Sequence, residues 1–148
     1  MTLFRLERTV PLAPEEVWHR LTDWPAHGRQ VPLTRTTVLT PGPNGTGTRF
    51  TARTGIGPLS FDDPMEVVRW EPPTADRPGV CRLEKYGRVV RGWAQMEVTG
   101  TRARGGGSRV VWTEDLSVRG VPRAFDGLLA GAGRAIFGRA LNALLQGR

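Results

Sequence analysis

The sequence predicts an α+β fold: a curved antiparallel sheet of about six to seven strands, two short helices after the first strand, and one long C-terminal helix wrapped by the sheet. Three observations predict it. Apolar and polar residues alternate over most of the chain, which is the period of a strand. Clusters of glycine, proline and asparagine punctuate these segments. Helical spacing of apolar residues is confined to a stretch near the start and to residues 122–147. Strands grouped apart from helices argue for an antiparallel sheet. A strongly bent sheet must cover its concave face, and one long helix can lie across it.

Residues 3–10, L-F-R-L-E-R-T-V, read as a strand in which Phe4, Leu6 and Val10 alternate with Arg5, Glu7 and Thr9. In L-A-P-E-E-V-W-H-R-L-T-D, Pro14 suits a first helical position, and Glu15 and Glu16 suit the positive end of the helix dipole. Val17, Trp18 and Leu21 form one face of this helix. Trp24-Pro25 ends it, because the residue before proline disfavours helix, and a second helical turn covers 25–29. Strands follow at 33–40, 46–53, 59–70, 79–86, 88–99 and 108–118. They are separated by the turn clusters P-G-P-N-G-T-G, G-I-G-P, E-P-P-T-A-D-R-P-G, Gly87 and R-A-R-G-G-G-S. In the last segment Phe125, Leu128, Leu129, Ala132, Ile136, Ala140, Leu141, Leu144 and Leu145 recur at helical spacing. Gly127, Gly131, Gly133 and Gly138 weaken that helix by roughly 1 kcal/mol each against alanine, so burial against the sheet must compensate.

With 148 residues the chain suits one domain, 1–148, with one sizeable core. The net charge is +7, and Lys85 is the only lysine. The arginines are dispersed, without a block of four, so nucleic-acid binding is disfavoured against solvated surface arginines. Cys81 is the only cysteine and has no disulfide or CxxC partner. His19 and His27 lack a metal-ligand spacing, and a surface position is expected for His19, so no metal is expected. No phosphate-binding glycine loop or nucleophile motif occurs, and no cofactor is called for. The charged start has no apolar leader, and no run approaches eighteen apolar residues, so the expectation is a cytoplasmic protein without a transmembrane segment. A homodimer is left open.

Several stretches together carry a family resemblance over nearly the whole chain. They are E-R-T-V-P-L-A-P-E-E-V-W-H-R-L-T-D, G-T-R-F-T-A-R-T-G-I-G-P-L-S-F, F-D-D-P-M-E-V-V-R-W-E-P-P, and S-R-V-V-W-T-E-D-L followed by an amphipathic helix. In this order they resemble the START/Bet v 1-like (SRPBCC) superfamily, and within it the polyketide cyclase/dehydrase-like group. The resemblance implies a helix-grip fold with a deep cavity between sheet and C-terminal helix, and a hydrophobic or amphipathic ligand. It does not assign an activity, since fold does not settle function.

Candidate site residues follow. Adjacent Asp62 and Asp63 point to opposite faces of a strand, and Pro64 suits an edge or a bulge. Strand entry and solvation are therefore expected of the pair, not shared acid–base work. In V-V-W-T-E-D-L, Val110, Trp112, Glu114 and Leu116 share one face. If that face is concave, Glu114 enters the cavity and needs a partner or a raised pKa, with Arg69 or Arg91 as partner. Glu114 is the one weak candidate for catalysis. Trp18, Trp24, Phe50, Phe61, Trp93, Trp112, Phe125 and Phe137 are core aromatics and candidate ligand contacts. Met65 and Met96 are adaptable liners, and Tyr86, Gln95 and Glu114 candidate polar orienters.

Three functions compete. A binding module holds a lipid- or polyketide-like hydrophobic or aromatic molecule between sheet and helix, and the absence of a catalytic constellation favours it. A polyketide cyclase/dehydrase-type enzyme needs only positioning and one acid–base carboxylate. Nucleic-acid binding through the arginines predicts steep salt dependence.

Overall fold

The computed structural model describes residues 2–101 and 106–147, so residues 102–105 of the R-A-R-G-G-G-S turn lie outside it. Strand β1 (Thr2–Val10) leads into helices α1 (Pro14–Leu21) and α2 (Trp24–Gln30). Then come β2 (Thr34–Val38), β3 (Arg49–Ile56), β4 (Leu59–Glu71), β5 (Gly79–Tyr86), β6 (Val90–Gly100) and β7 (Ser108–Val118). A 3-10 turn at Arg123–Phe125 opens helix α3 (Asp126–Leu145). The seven strands form one antiparallel sheet in the order β1-β7-β6-β5-β4-β3-β2. This is the predicted helix-grip fold.

The helix starts follow from local chemistry. Proline stands in the first turn of α1, with Glu15 and Glu16 at its N-terminus and His19 and Arg20 in its last turn. Asp23 caps α2, its side chain accepting from the Ala26 amide at 3.2 Å. Trp24-Pro25 thus both stops α1 and opens α2, which is longer than the predicted turn.

The pairing register sets which residues face inward. Leu6, Trp112, Met96 and Cys81 form one row across β1, β7, β6 and β5. Phe4, Glu114, Ala94 and Leu83 form the next. The register shifts between Val67 and Arg69 where β4 meets β5, and such a bulge bends a strand. The bulge is there and not at Pro64, and β4 is an interior strand. Proline is tolerated because the β4–β5 register begins one residue later, at Met65 opposite Lys85.

Helix α3 packs against β1, α1 and α2. Its burial is uneven: Ala140, Leu141, Leu144 and Leu145 are buried, whereas Leu128 is 70% exposed and Ile136 40%. Burial along the whole helix, as the periodicity suggested, therefore holds only for its second half. Residues Arg123–Leu145 are long and apolar enough by length and composition alone to cross a membrane, a test that a core helix also passes. Small apolar residues raise the average there despite Arg134 and Arg139, and the second half of the segment is core.

The helix glycines divide by environment. A Cβ on Gly133 would lie 2.9 Å from Phe4 Cε1, so this glycine allows α3 to approach β1. A Cβ on Gly131 would meet nothing within 4 Å. Gly131→Ala is therefore expected to raise stability by about 0.5–1 kcal/mol through helix propensity. Gly133→Ala is expected to lower it, because the Phe4 ring must give way inside a packed core. Urea denaturation of the two variants checks this, and equal shifts would refute it.

Candidate ligand-binding site

A cavity of about 100 Å³ lies between the concave face and the helices. Four large aromatic rings are part of its wall. Trp24, at the start of α2, stacks on Phe50 of β3 with centroids 4.5 Å apart and planes 10° from parallel. Trp112 of β7 lies 5.6 Å from Phe137 of α3, and Phe137 stacks in turn on Phe4 at 5.8 Å. Met65 and Met96 complete the apolar lining, and the small side chains of Ala52, Ala94 and Ala140 leave the space open.

A buried charge cluster lies on the sheet side of this cavity. Lys85 Nζ of β5 stands 2.7 Å from Asp63 Oδ2 of β4 and 3.3 Å from Glu114 Oε1 of β7. Its third hydrogen points to Met65 Sδ at 3.4 Å. Lys85 reaches Glu114 diagonally across β6, past the small residues Gly92, opposite Lys85, and Ala94, opposite Glu114. One ammonium serves two carboxylates, and Asp63 has the closer contact. Burial pushes the Glu114 carboxyl above its usual range; Lys85 pulls it back, the neighbouring Asp63 charge adds to the rise, and the Trp112 indole opposes it. The indole N–H acts by approaching the carboxyl, though it falls short of full hydrogen-bond geometry. Burial also opposes the Lys85 charge, but Glu114 and Asp63 outweigh it and hold the ammonium above its usual range.

His27 of α2 faces the same cavity, with its ring 5.6 Å from Trp24 and 5.5 Å from Trp112. Its Nε2–H donates to the Leu21 carbonyl at 2.5 Å, which selects that tautomer. Desolvation lowers its pKa; the Leu21 bond and the Asp23 charge oppose this, and Lys85 adds to it. Four buried polar atoms of cavity-lining residues have no hydrogen-bond partner among the described residues: Trp24 Nε1, Trp112 Nε1, Asp63 Oδ1 and Glu114 Oε2. No group of three His, Cys, Asp or Glu among the described residues could hold a metal.

Of the residues singled out in the sequence, Trp24, Phe50, Met65, Met96, Trp112, Glu114 and Phe137 line the cavity. Four others do not. Trp93 is on the convex face beneath the Arg82 guanidinium, 4.3 Å from its centroid, because an odd spacing from Met96 reverses its face. Trp18 is buried but packs edge-on against Trp70 at 5.1 Å, away from the cavity. Phe61 shares the face of Asp63 but lies beyond the cavity, 37% exposed. Phe125 is in the turn before α3 and half exposed. Among the polar candidates, Gln95 bonds to Glu97 and Arg82 outside the cavity, and Tyr86 is half exposed.

The partner of Glu114 is Lys85, not Arg69 or Arg91. Arg69 pairs with Glu71, and Arg91 donates to the Gly87 carbonyl. The aspartates do face apart, but only Asp62 keeps the solvated role, its side chain 56% exposed and 3.8 Å from Arg53. Asp63 belongs to the cavity cluster. Sequence reasoning thus missed Asp63, Lys85 and His27. One signal for Lys85 was available: it is the single lysine of the chain and keeps the alternation of Cys81 and Leu83, both inward.

The chain belongs to the family described as polyketide cyclase / dehydrase and lipid transport, whose profile matches residues 1–146. No curated protein matches it in sequence. Among solved structures, it is similar to a START superfamily protein from Mycobacterium smegmatis, with TM-score 0.72, 14% identity, and 99% and 98% of the two chains covered. It is also similar to the Zhui aromatase/cyclase from a Streptomyces species, with TM-score 0.68, 16% identity, and 97% of this chain and 91% of that one covered. At these identities the likeness is one of fold.

Two outcomes test the electrostatics. Lys85→Met is expected to destabilise the protein by about 3–5 kcal/mol, since it strands two buried carboxylates. Denaturant titration reads this, and a loss under about 1 kcal/mol would refute the cluster. For His27, the lowered pKa means that the unfolded chain binds a proton near pH 6.5 while the folded one does not. Its contribution to stability is therefore present above pH 6.5 and lost as pH falls below it. Glu114, with a raised pKa, acts in the opposite sense, and Asp23 and Lys85 also face His27. His27→Gln is expected to flatten the loss of stability below pH 6.5, measured against wild type at the same pH values.

Proposed function

We propose that this chain binds a small hydrophobic or aromatic molecule in the cavity between sheet and C-terminal helix. The observation that carries this reading is a cavity lined by Trp24, Phe50, Trp112 and Phe137, with a few polar side chains among them. Ligand sites are apolar pockets with a few polar groups that fix orientation. The family description, which includes lipid transport, agrees.

Size sharpens the reading. A space of about 100 Å³ accommodates one ring, whereas drug-sized ligands need roughly 300–1,000 Å³. A lipid- or polyketide-like ligand therefore requires α3 to move. Its first half, exposed and interrupted by Gly127 and Gly131, is the part of the helix with least packing to lose.

A second reading rests on the Asp63–Lys85–Glu114 cluster. Glu114 and His27, two groups able to exchange protons, line one cavity, which suits cyclisation or dehydration. The aromatase/cyclase among the structural neighbours fits this chemistry. On this reading, Glu114→Gln loses whatever turnover the protein supports and keeps binding.

Titration of wild type with toluene, read by tryptophan fluorescence and ligand NMR, tests the binding reading. Saturable binding is expected, with a response lost in Ala52→Phe, which fills the cavity while the thermal transition stays cooperative. Absence of any saturable single-ring binding at millimolar concentration would remove the proposal.

A further inference from the structure

The polar atoms of the cavity specify more than an apolar ligand. Glu114 is 1% exposed, and its Oε2 has no partner. Asp63 Oδ1 is likewise buried and unpaired. Unpaired buried polar atoms are rare in native proteins, and each calls for an explanation. Both residues belong to the cavity wall, so two acceptor oxygens lie buried in that wall without a partner, as do the indole N–H donors of Trp24 and Trp112. Trp112 and Glu114 stand two residues apart on β7, on one face of the strand, so a donor and an acceptor are presented side by side.

The cluster also states what the site does not accept. Lys85 has three N–H donors, and Asp63, Glu114 and Met65 take all three. It keeps no hydrogen for a ligand, and no arginine lines the cavity. A carboxylate entering here would meet two carboxylates and no free cation, with only neutral indole and hydroxyl donors to offset its burial.

Building on the proposed ligand-binding role, we propose that this cavity recognises a hydroxyl group on a single flat ring, a phenol or an enol, and discriminates against carboxylates. A hydroxyl donates one hydrogen and accepts through its lone pairs. It satisfies a carboxylate oxygen of Glu114 or Asp63 and an indole N–H at once, while the ring lies between the aromatic walls. A ketone leaves the acceptors unpaired, and an ammonium leaves the indoles unpaired. The cavity volume of about 100 Å³ fits one such ring.

The test compares phenol, toluene and benzoate on the wild-type protein by titration calorimetry and competition. A dry apolar cavity prefers toluene, because stripping water from a hydroxyl without a new partner costs free energy. Phenol is expected to bind at least as tightly as toluene, and benzoate at least tenfold more weakly than phenol. Toluene tighter than phenol overturns the inference while leaving the ligand-binding role in place, as does benzoate equal to phenol. Failure of all three to bind removes the ligand-binding role itself. Two variants locate the contact. Trp112→Phe removes the donor and keeps a ring, and Glu114→Leu removes the acceptor. Each is expected to lower the phenol-to-toluene affinity ratio about fivefold, the value of one hydrogen bond. An unchanged ratio in folded samples of both overturns the assignment, and the wild-type series decides alone if neither folds.

Discussion

One helix is narrower than the concave face it must cover. Seven strands at about 4.8 Å spacing span roughly 29 Å, and a helix with its side chains about 10–12 Å. Helix α3 lies toward β1, where Gly133 lets it settle on Phe4, and α1 and α2 flank it. Helix α1 packs against β6 and α2 against β2, and the inward rows of β3 to β5 rely mainly on side chains to fill the space between. Large rings do most of this, with Trp24 stacked on Phe50 and Trp112 meeting Phe137. Flat rings fill the gap incompletely beside Ala52, Ala94 and Ala140, and the cavity is the remainder.

The charge cluster follows from the same geometry. Inward positions on neighbouring strands bring Asp63, Lys85 and Glu114 together, although they are far apart in sequence. A buried ion pair gives little net stability, because desolvation offsets attraction. The second carboxylate makes the cluster less favourable still, and the strain falls on Glu114. A stability requirement alone does not account for two carboxylates on one ammonium, since a hydrophobic replacement of the same volume is often neutral or better. On the proposed ligand-binding reading, the unpaired oxygens are acceptors for a ligand.

The convex face shows the contrasting use of charge. Arg49 with Glu66, Arg69 with Glu71 and Arg109 with Glu7 are exposed pairs, and Arg82 lies over Trp93. Such exposed pairs are screened by solvent and add little to stability. The same chemistry therefore has separate consequences on the two faces of one sheet, and strand alternation decides which residue has which.

Local patterns in the sequence determined the elements. Period-two alternation, Pro14, the Trp24-Pro25 stop and the helical spacing after residue 122 were sufficient for strand and helix order, and the resemblance over the whole chain supplied the helix-grip topology. The placement of Glu114 beside Trp112 on an inward face was also legible, because both depend on one strand. What the tertiary structure decided was every relation between strands. The bulge after Val67, the partner of Glu114, the inward turn of Asp63 and the entry of His27 from α2 depend on register, which adjacent residues do not encode. Trp93 shows the limit plainly: its size suggested the cavity, and a one-residue difference in phase put it on the opposite face. Cavity volume is likewise a difference between two large packed volumes, and no residue type reports it. The sequence alone specified a sheet that needs covering; only the fold decided how much of it one helix left open.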